Sequence, residues 1–354
     1  MSVLDCIEWF YAILHISFIY AFITFLHLVV PARHVRGYVQ DGPPIYRLNG
    51  LRVYFFVTLL FLILIGYFQC VDIHFLILLR FKHAVCACLL GVLFTLLLVL
   101  PYEQKSSSLG LDIYLGRLKN PQWFAHRADG KILLYLIGGI GVELNLILFY
   151  FERAQEKQPM ANIITYVLLF TFFLTEYFYH EHVHLYTFDF IVEHVGFKLV
   201  WGCLVFYPFF YPIGMWCDVP PRALSRARQY SSVLIFFLGW VLSRGANNQK
   251  YRFRTDPHAK FLGYFQPVSV NKRLLCSGWW ALSRHINYLG DTLMAVGLSV
   301  AVDGGIAPWI YPLYYVLLFV ARERADCERC REKYGRDWDE YCHRVPFRIV
   351  PLLY

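Results

Sequence analysis

The sequence predicts an all-α polytopic membrane protein with about nine or ten transmembrane helices. Three observations lead there. Hydrophobic residues fill 58% of the 354 positions, and charged residues only 16%, well below the ~25% usual in soluble domains. Apolar stretches able to cross ~30 Å of hydrocarbon recur from one end of the chain to the other.

The first stretch, 8–30, follows Asp5 and Glu8, where a secretory signal would carry positive charge, and no small-residue cleavage pattern follows it. That helix is expected to be retained. The next two are 51–70 and 83–101. The fourth, 131–151, contains Gly138, Gly139 and Gly141, small residues that let membrane helices approach closely. Stretches 162–179, 197–216 and 230–243 follow, and 288–302 and 308–320 are short enough to form one hairpin.

If the spans alternate, Arg33, Arg36, Arg47 and Arg52 share a side with Lys105, Arg117, Lys119, Arg127 and Lys131, and with the basic residues from Arg244 to Arg273. The basic-loop bias makes that side cytoplasmic. Arg222, Arg226 and Arg228 fall on the other side in this scheme. The same loop placement accounts for the net charge of +8, so no nucleic-acid partner is expected. Several of the ten cysteines lie inside apolar stretches, which argues against a disulfide framework and for reduced core thiols. No Asn-x-Ser/Thr acceptor marks an outer loop.

By function the chain divides into a transmembrane helical bundle, 1–243, and a C-terminal part, 244–354, with a short membrane hairpin and polar, Trp-rich and Arg-rich loops. In the segment 247–254, Lys250 and Arg254 lie one helical turn apart if the segment is helical, and two cations held together call for a bridging anion such as phosphate. An ordinary basic loop accounts for the same residues. Downstream, Asp326 either pairs with arginine neighbours or accepts from the hydroxyls of a nucleotide; Tyr334 and Trp338 offer faces for ring stacking or belong to the interfacial aromatic belt.

Two metal-like patterns carry little weight. His180-Glu181-His182-Val183-His184 contains His-Glu-x-x-His, but no helix signature presents a third ligand, and Cys327, Cys330, Cys342 and His343 supply only half a zinc site in one short segment. No metal is expected. Ionisable groups beside membrane helices are better suspects, and Glu176, Tyr177, His180, Asp189 and Glu193 cluster at the ends of the fifth and sixth spans. Helix-end snorkelling is the plainer account.

At these motifs the chain resembles the sterol reductase family, which includes the Δ14-, Δ7- and Δ24(28)-sterol reductases and the lamin B receptor. The resemblance runs through Tyr46–Leu51, through Gly110–Pro121, and through Arg322-x3-Asp326-x3-Cys330-x2-Lys333-Tyr334-Gly335 to Val345-Pro-Phe-Arg-Ile-Val-Pro. Ala325 and Ala281 depart from the pattern, standing where the family usually has Arg and Gly. The resemblance implies NADPH as cofactor in a C-terminal cytoplasmic-side pocket, held by Lys250, Arg254, Trp279, Arg284, His285, Asn287, Tyr288, Arg322, Asp326 and Tyr334, and a sterol substrate drawn from the bilayer. It places a eukaryotic member in the endoplasmic reticulum and a bacterial one in the inner membrane. The stretch Thr187–Phe206 with Tyr211 looks most like the Δ7 (7-dehydrocholesterol) reductases.

Reducing an unactivated double bond takes a proton first and a hydride second. An acid in an apolar pocket is therefore required, and burial keeps a carboxyl protonated. Glu176, Asp189 and Glu193 are candidates, with Tyr177, His180 and Tyr211 beside them. The rival is an isoprenylcysteine-type S-adenosylmethionine-dependent membrane methyltransferase, which has a similar Arg-His-x-x-Tyr element; its cofactor has no phosphates for Lys250, Arg254 and Arg322 to hold.

Overall fold

The computed structural model describes residues 3–38, 45–156, 161–216, 225–302 and 305–354; Cys217 and Arg222 lie outside the described residues. The chain divides into two compact units, Met1–Met160 with Phe170–Trp216, and Ala161–Leu169 with Cys217–Tyr354.

In the first unit, α1 (Val3–Val29) is followed by an antiparallel hairpin of β1 (Arg33–Arg36) and β2 (Ile45–Leu48). Then come α2 (Gly50–Gly66), α3 (Ile73–Leu78), α4 (Arg80–Val99), α5 (Leu109–Leu115), the hairpin of β3 (Gln122–Trp123) and β4 (Ala128–Asp129), and α6 (Gly130–Gln155). α7 (Ala161–Tyr179) begins in the second unit and ends in the first. The first unit closes with α8 (Glu181–His184), α9 (Phe188–Ile191), α10 (Phe197–Trp201), a π-helical stretch Gly202–Phe210 and a 3₁₀ turn Tyr211–Met215.

α6 is the core of this unit, buried along most of its length. Its glycines serve as small-residue contacts: a Cβ on Gly139 would lie 2.6 Å from the Phe178 ring, and one on Gly141 2.9 Å from Pro208. Pro208 interrupts the last span, because proline brings no N–H and crowds the preceding turn. The π-helical register absorbs it, the Tyr20 hydroxyl donates to Leu204 O at 3.1 Å, and Asn145 Nδ2 donates to Pro208 O at 2.8 Å. The acids that lead α1 have a partner on α4: Lys82 Nζ donates to Asp5 at 2.7 Å and also to Glu8.

The second unit contains α11 (Arg226–Thr255), the hairpin of β5 (Ser269–Val270) and β6 (Leu274–Leu275), a 3₁₀ turn Gly278–Ala281, α12 (Ile286–Ala301), α13 (Ile310–Tyr334) and α14 (Arg336–Arg344). α11 and α12 pack backbone to backbone. A Cβ on Gly290 would lie 2.6 Å from Gly239 O and closer still to Ser243 N, and one on Gly297 2.8 Å from Phe236 N. The segment after α14 folds back on the start of α12: Arg284 N and His285 N donate to Phe347 O and Arg348 O at 2.9 Å, and Ser283 Oγ to Ile349 O at 2.8 Å.

Among the described residues five helices are long and apolar enough to cross a membrane: Val3–Val29, Arg80–Val99, Gly130–Gln155, Ala161–Tyr179 and Phe197–Met215. The stretches expected at 51–70 and 288–302 form helices of 17 and 16 residues. Those expected at 230–243 and 308–320 are the apolar parts of much longer helices, α11 and α13, that run on into charged sequence. Beyond the stretch at 308–320, Arg322–Tyr334 continues the same helix. The nine described cysteines are free thiols, of which Cys86 and Cys203 are buried and Cys6 and Cys70 exposed.

Candidate functional site

In the second unit, α11 stays helical to Thr255, so Lys250 and Arg254 do share a face. Gln249 fixes the turn beside them: its Oε1 accepts from Trp279 N at 2.9 Å and its Nε2 donates to Ser277 O at 2.8 Å. Trp280 Nε1 donates to Ala246 O at 2.8 Å, and the Lys250 ammonium lies 4.8 Å from the centre of the Trp280 ring. Burial, then the nearby Arg254, push the Lys250 ammonium down to about 8 against the pull of Asp326.

From the facing helix, Asn287 Nδ2 donates to Asn247 Oδ1 at 3.3 Å, while Asn287 Oδ1 is buried with no partner. His285, Tyr288 and Phe319 stack in sequence, with centroids 4.8 and 4.4 Å apart. Burial lowers His285 to about 4, leaving it neutral at pH 7. Arg284 faces the C-terminal segment: Nη1 donates to Cys342 Sγ at 2.6 Å and Nη2 to Pro346 O at 3.4 Å, and Nε is buried without a partner. On α13, Asp326 accepts from Arg329 at 2.9 Å, Arg322 is half-buried, and Lys333 lies 5.2 Å from the Tyr334 ring centre. Cys327, Cys330 and Cys342 pack around Trp338 and Tyr341 in an apolar cluster.

Glu323, three residues before Asp326 on α13, is held apart from the other charges of that helix. It is 1% exposed and instead accepts from Arg348 at 3.3 Å and the Tyr354 hydroxyl at 3.4 Å, tying α13 to the C-terminal segment.

The acid and aromatic candidates lie in the first unit. Glu176 and His180 are one turn apart, Oε1 to Nε2 at 3.6 Å. Tyr177 stacks on His184 at 4.1 Å and approaches Tyr135, which in turn contacts Tyr207, and Tyr207 contacts Tyr211. Lys131, fully buried, donates to Asp189 O at 2.8 Å and Phe190 O at 3.3 Å, and Glu193 is ion-paired with Lys198 at 2.6 Å.

Two carboxyls escaped the sequence reading as candidates in their own right. Glu143, 3% exposed on α6, accepts from the Thr171 hydroxyl at 3.0 and 3.2 Å. Glu181 accepts from Gly50 N at 3.0 Å, and burial raises it to about 8. An acidic residue inside an otherwise apolar helix was the available signal for Glu143. Glu181 was seen only as part of the His-Glu-x-x-His pattern. Among the described residues no three or more His, Cys, Asp or Glu side chains are grouped to hold a metal ion.

The chain is 36% identical to the Delta(14)-sterol reductase of Arabidopsis thaliana over 253 residues, which cover 70% of this chain and 67% of that protein. It is 34% identical to Delta(14)-sterol reductase TM7SF2 of Mus musculus, covering 69% of this chain and 59% of the relative. It is 30% identical to Delta(14)-sterol reductase LBR of Gallus gallus, covering 89% of this chain and 53% of the relative. The match thus spans less than two thirds of the length of the latter two. The model of the ergosterol biosynthesis ERG4/ERG24 family matches residues 3–354, and the chain belongs to that family, the sterol reductases that its Gly110–Pro121 and Arg322–Gly335 motifs resemble.

Proposed function

We propose that the chain is an NADPH-dependent reductase of a sterol carbon–carbon double bond, and that the bond is Δ14. The likeness to Delta(14)-sterol reductases, over 70% of this chain in the Arabidopsis thaliana protein, carries the reading. The Δ7 preference inferred from Thr187–Phe206 finds no support among these relatives, and Δ14 replaces it. On this reading 244–354 is the cofactor-binding part on the cytoplasmic side of a bundle of about nine or ten spans.

The second unit fits a phosphate-bearing dinucleotide. Lys250 and Arg254 form a pair of like charges on one face, and Arg284 Nε and Asn287 Oδ1 are buried polar atoms with no partner, a costly arrangement without a ligand. Lys250, Arg254 and Arg322 would hold phosphates, Asp326 would accept from ribose hydroxyls, and Trp279 and Tyr334 would present ring faces. His285 and Tyr288, stacked and buried, would wall the site. A methyl donor without phosphates would give Lys250, Arg254 and Arg322 no phosphate to hold. NADPH, when bound, supplies the hydride.

The proton must come from the chain. Glu193 is engaged in an ion pair with Lys198, and the nearby Lys131 donates to the backbone oxygen of Asp189. Glu176 with His180 a turn away offers a donor and a group to reload it, with Tyr177 and Tyr211 lining the same aromatic run; ring faces there stabilise positive charge developing on the sterol.

The purified protein, given NADPH and an 8,14-diene sterol, should add two hydrogens to the substrate by mass spectrometry, and should leave 7-dehydrocholesterol unchanged. Gain on 7-dehydrocholesterol alone would restore the Δ7 reading, and methyl transfer from S-adenosylmethionine with no gain on either sterol would overturn the reductase. The charge of Lys250 gives a second check. Its ammonium is lost as pH rises through about 8, so KM for NADPH should climb between pH 7 and 9 in the native enzyme. In Lys250→Arg, which stays charged, KM should hold flat; equal profiles would remove Lys250 from the site.

A further inference from the structure

The carbonyl end of α1 is held by three arginines from three separate segments. Arg47 on β2 donates to Leu28 O at 2.8 Å and Val30 O at 2.7 Å; Arg127, just before β4, donates to the same Leu28 O at 2.8 Å; Arg52, in the first turn of α2, donates to Pro31 O at 2.8 Å. A helix C-terminus carries roughly half a negative charge, so three guanidinium groups leave a surplus of about two and a half positive charges. Among the described residues none of the three meets a carboxylate. Among the described residues the acids nearest in these segments are buried and engaged elsewhere, Glu181 with Gly50 N and Asp129 with the N–H groups of Lys131 and Ile132.

Sharing one carbonyl oxygen keeps the Arg47 and Arg127 Nη atoms within twice that bond length of each other. Burial, then Arg127, lower the basicity of Arg47, as expected for like charges with no anion between them. Arg52 and Arg127 are exposed, and each uses one N–H among the described residues, leaving donors in the planar fork that suits phosphate oxygens.

The depth of the cluster identifies the ligand. α1 is long and apolar enough to cross a membrane and ends at Val29, so carbonyls of residues 28–31 lie where hydrocarbon gives way to headgroups. Val29 and Phe124 are exposed at the same end, Phe124 on the β3–β4 connection that carries Arg127, a pairing of apolar and basic side chains suited to an interface.

We propose that Arg47, Arg52 and Arg127 together bind the phosphate of an anionic phospholipid headgroup at the end of α1. The test is native mass spectrometry of the detergent-purified full chain titrated with phosphatidylglycerol, phosphatidylcholine or soluble glycerol 3-phosphate. One phosphatidylglycerol should bind about tenfold more tightly than phosphatidylcholine, whose choline the arginines repel, and Arg52→Gln and Arg127→Gln should each remove about that factor, the value of a charge-assisted hydrogen bond. Lys272→Gln, an exposed lysine of the second unit, should change nothing. Equal affinity for the two lipids, or native affinity in both arginine variants, would overturn the proposal. Displacement of the lipid by equimolar glycerol 3-phosphate would show a site for free phosphate and overturn it as a lipid site.

Discussion

Gly290→Ala should destabilise the second unit by about 3 kcal/mol, at the upper end of what overpacking costs. The added Cβ meets backbone on two sides, Gly239 O at 2.6 Å and Ser243 N nearer still, and a main-chain atom inside a helix has no rotamer through which to yield. Relief requires α12 to move away from α11, and that movement breaks the bond from Ser243 Oγ to Asp291 Oδ1, 2.6 Å in the native packing. The same displacement carries Asn287 and His285 away from Asn247 and Lys250, so on the proposed function NADPH-dependent turnover should fall with stability. Gly66→Ala is the matched control, since a Cβ there meets nothing within 4 Å. Thermal unfolding in detergent decides: an unchanged midpoint in Gly290→Ala would show that the two helices part at no cost.

Asp112→Asn should lower the thermal midpoint by about 10 °C, the scale expected for breaking a buried ion pair in a protein of this size. Asp112 is 2% and Arg117 4% exposed. The carboxylate accepts from Lys105 N at 3.0 Å, Ser106 N at 2.9 Å and Arg117 Nε at 2.6 Å, and Arg117 also donates to Val99 O and Tyr102 O. An amide keeps the shape but turns one acceptor into a donor facing N–H groups, and leaves Arg117 buried without its counter-charge. The Ser106 side chain, the Lys105 N–H and Arg117 hold the Asp112 carboxyl well below its ordinary value. Its stabilisation is therefore present above the unfolded value of about 4 and lost as pH falls below it. The native protein should lose thermal stability under acid more steeply than the variant; parallel acid profiles would show that this pair does not set the stability of the 105–117 loop.

The long apolar helices were legible because each is a continuous run, and such runs need no partner to be recognised. α11 and α13 were read short. Their charged halves have no membrane signal, while α12 and the C-terminal segment pack against them. The π-helical stretch around Pro208 was invisible for a related reason: its irregular carbonyls are satisfied by Tyr20 and Asn145, residues distant in sequence. That Lys250 and Arg254 share a helix face could be read from their spacing alone. The attachment of Glu323 to Arg348 could not, because nothing local distinguishes a buried glutamate from its solvated neighbours on an Arg-rich helix.

Because α11 runs unbroken for 30 residues, its two ends form one lever. The half from Tyr230 to Ser243 is the part sequence reading placed among lipid chains, and Lys250 and Arg254 sit on the other half with no hinge between. A tilt of about 10° in this apolar half swings Lys250 by about 4 Å, given a rise of ~1.5 Å per residue. If that half crosses a bilayer, as the sequence reading has it, tilting to match bilayer thickness becomes a mechanical input to the position of these cations, and on the proposed function the sterol content of the membrane would act as a force as well as a supply of substrate.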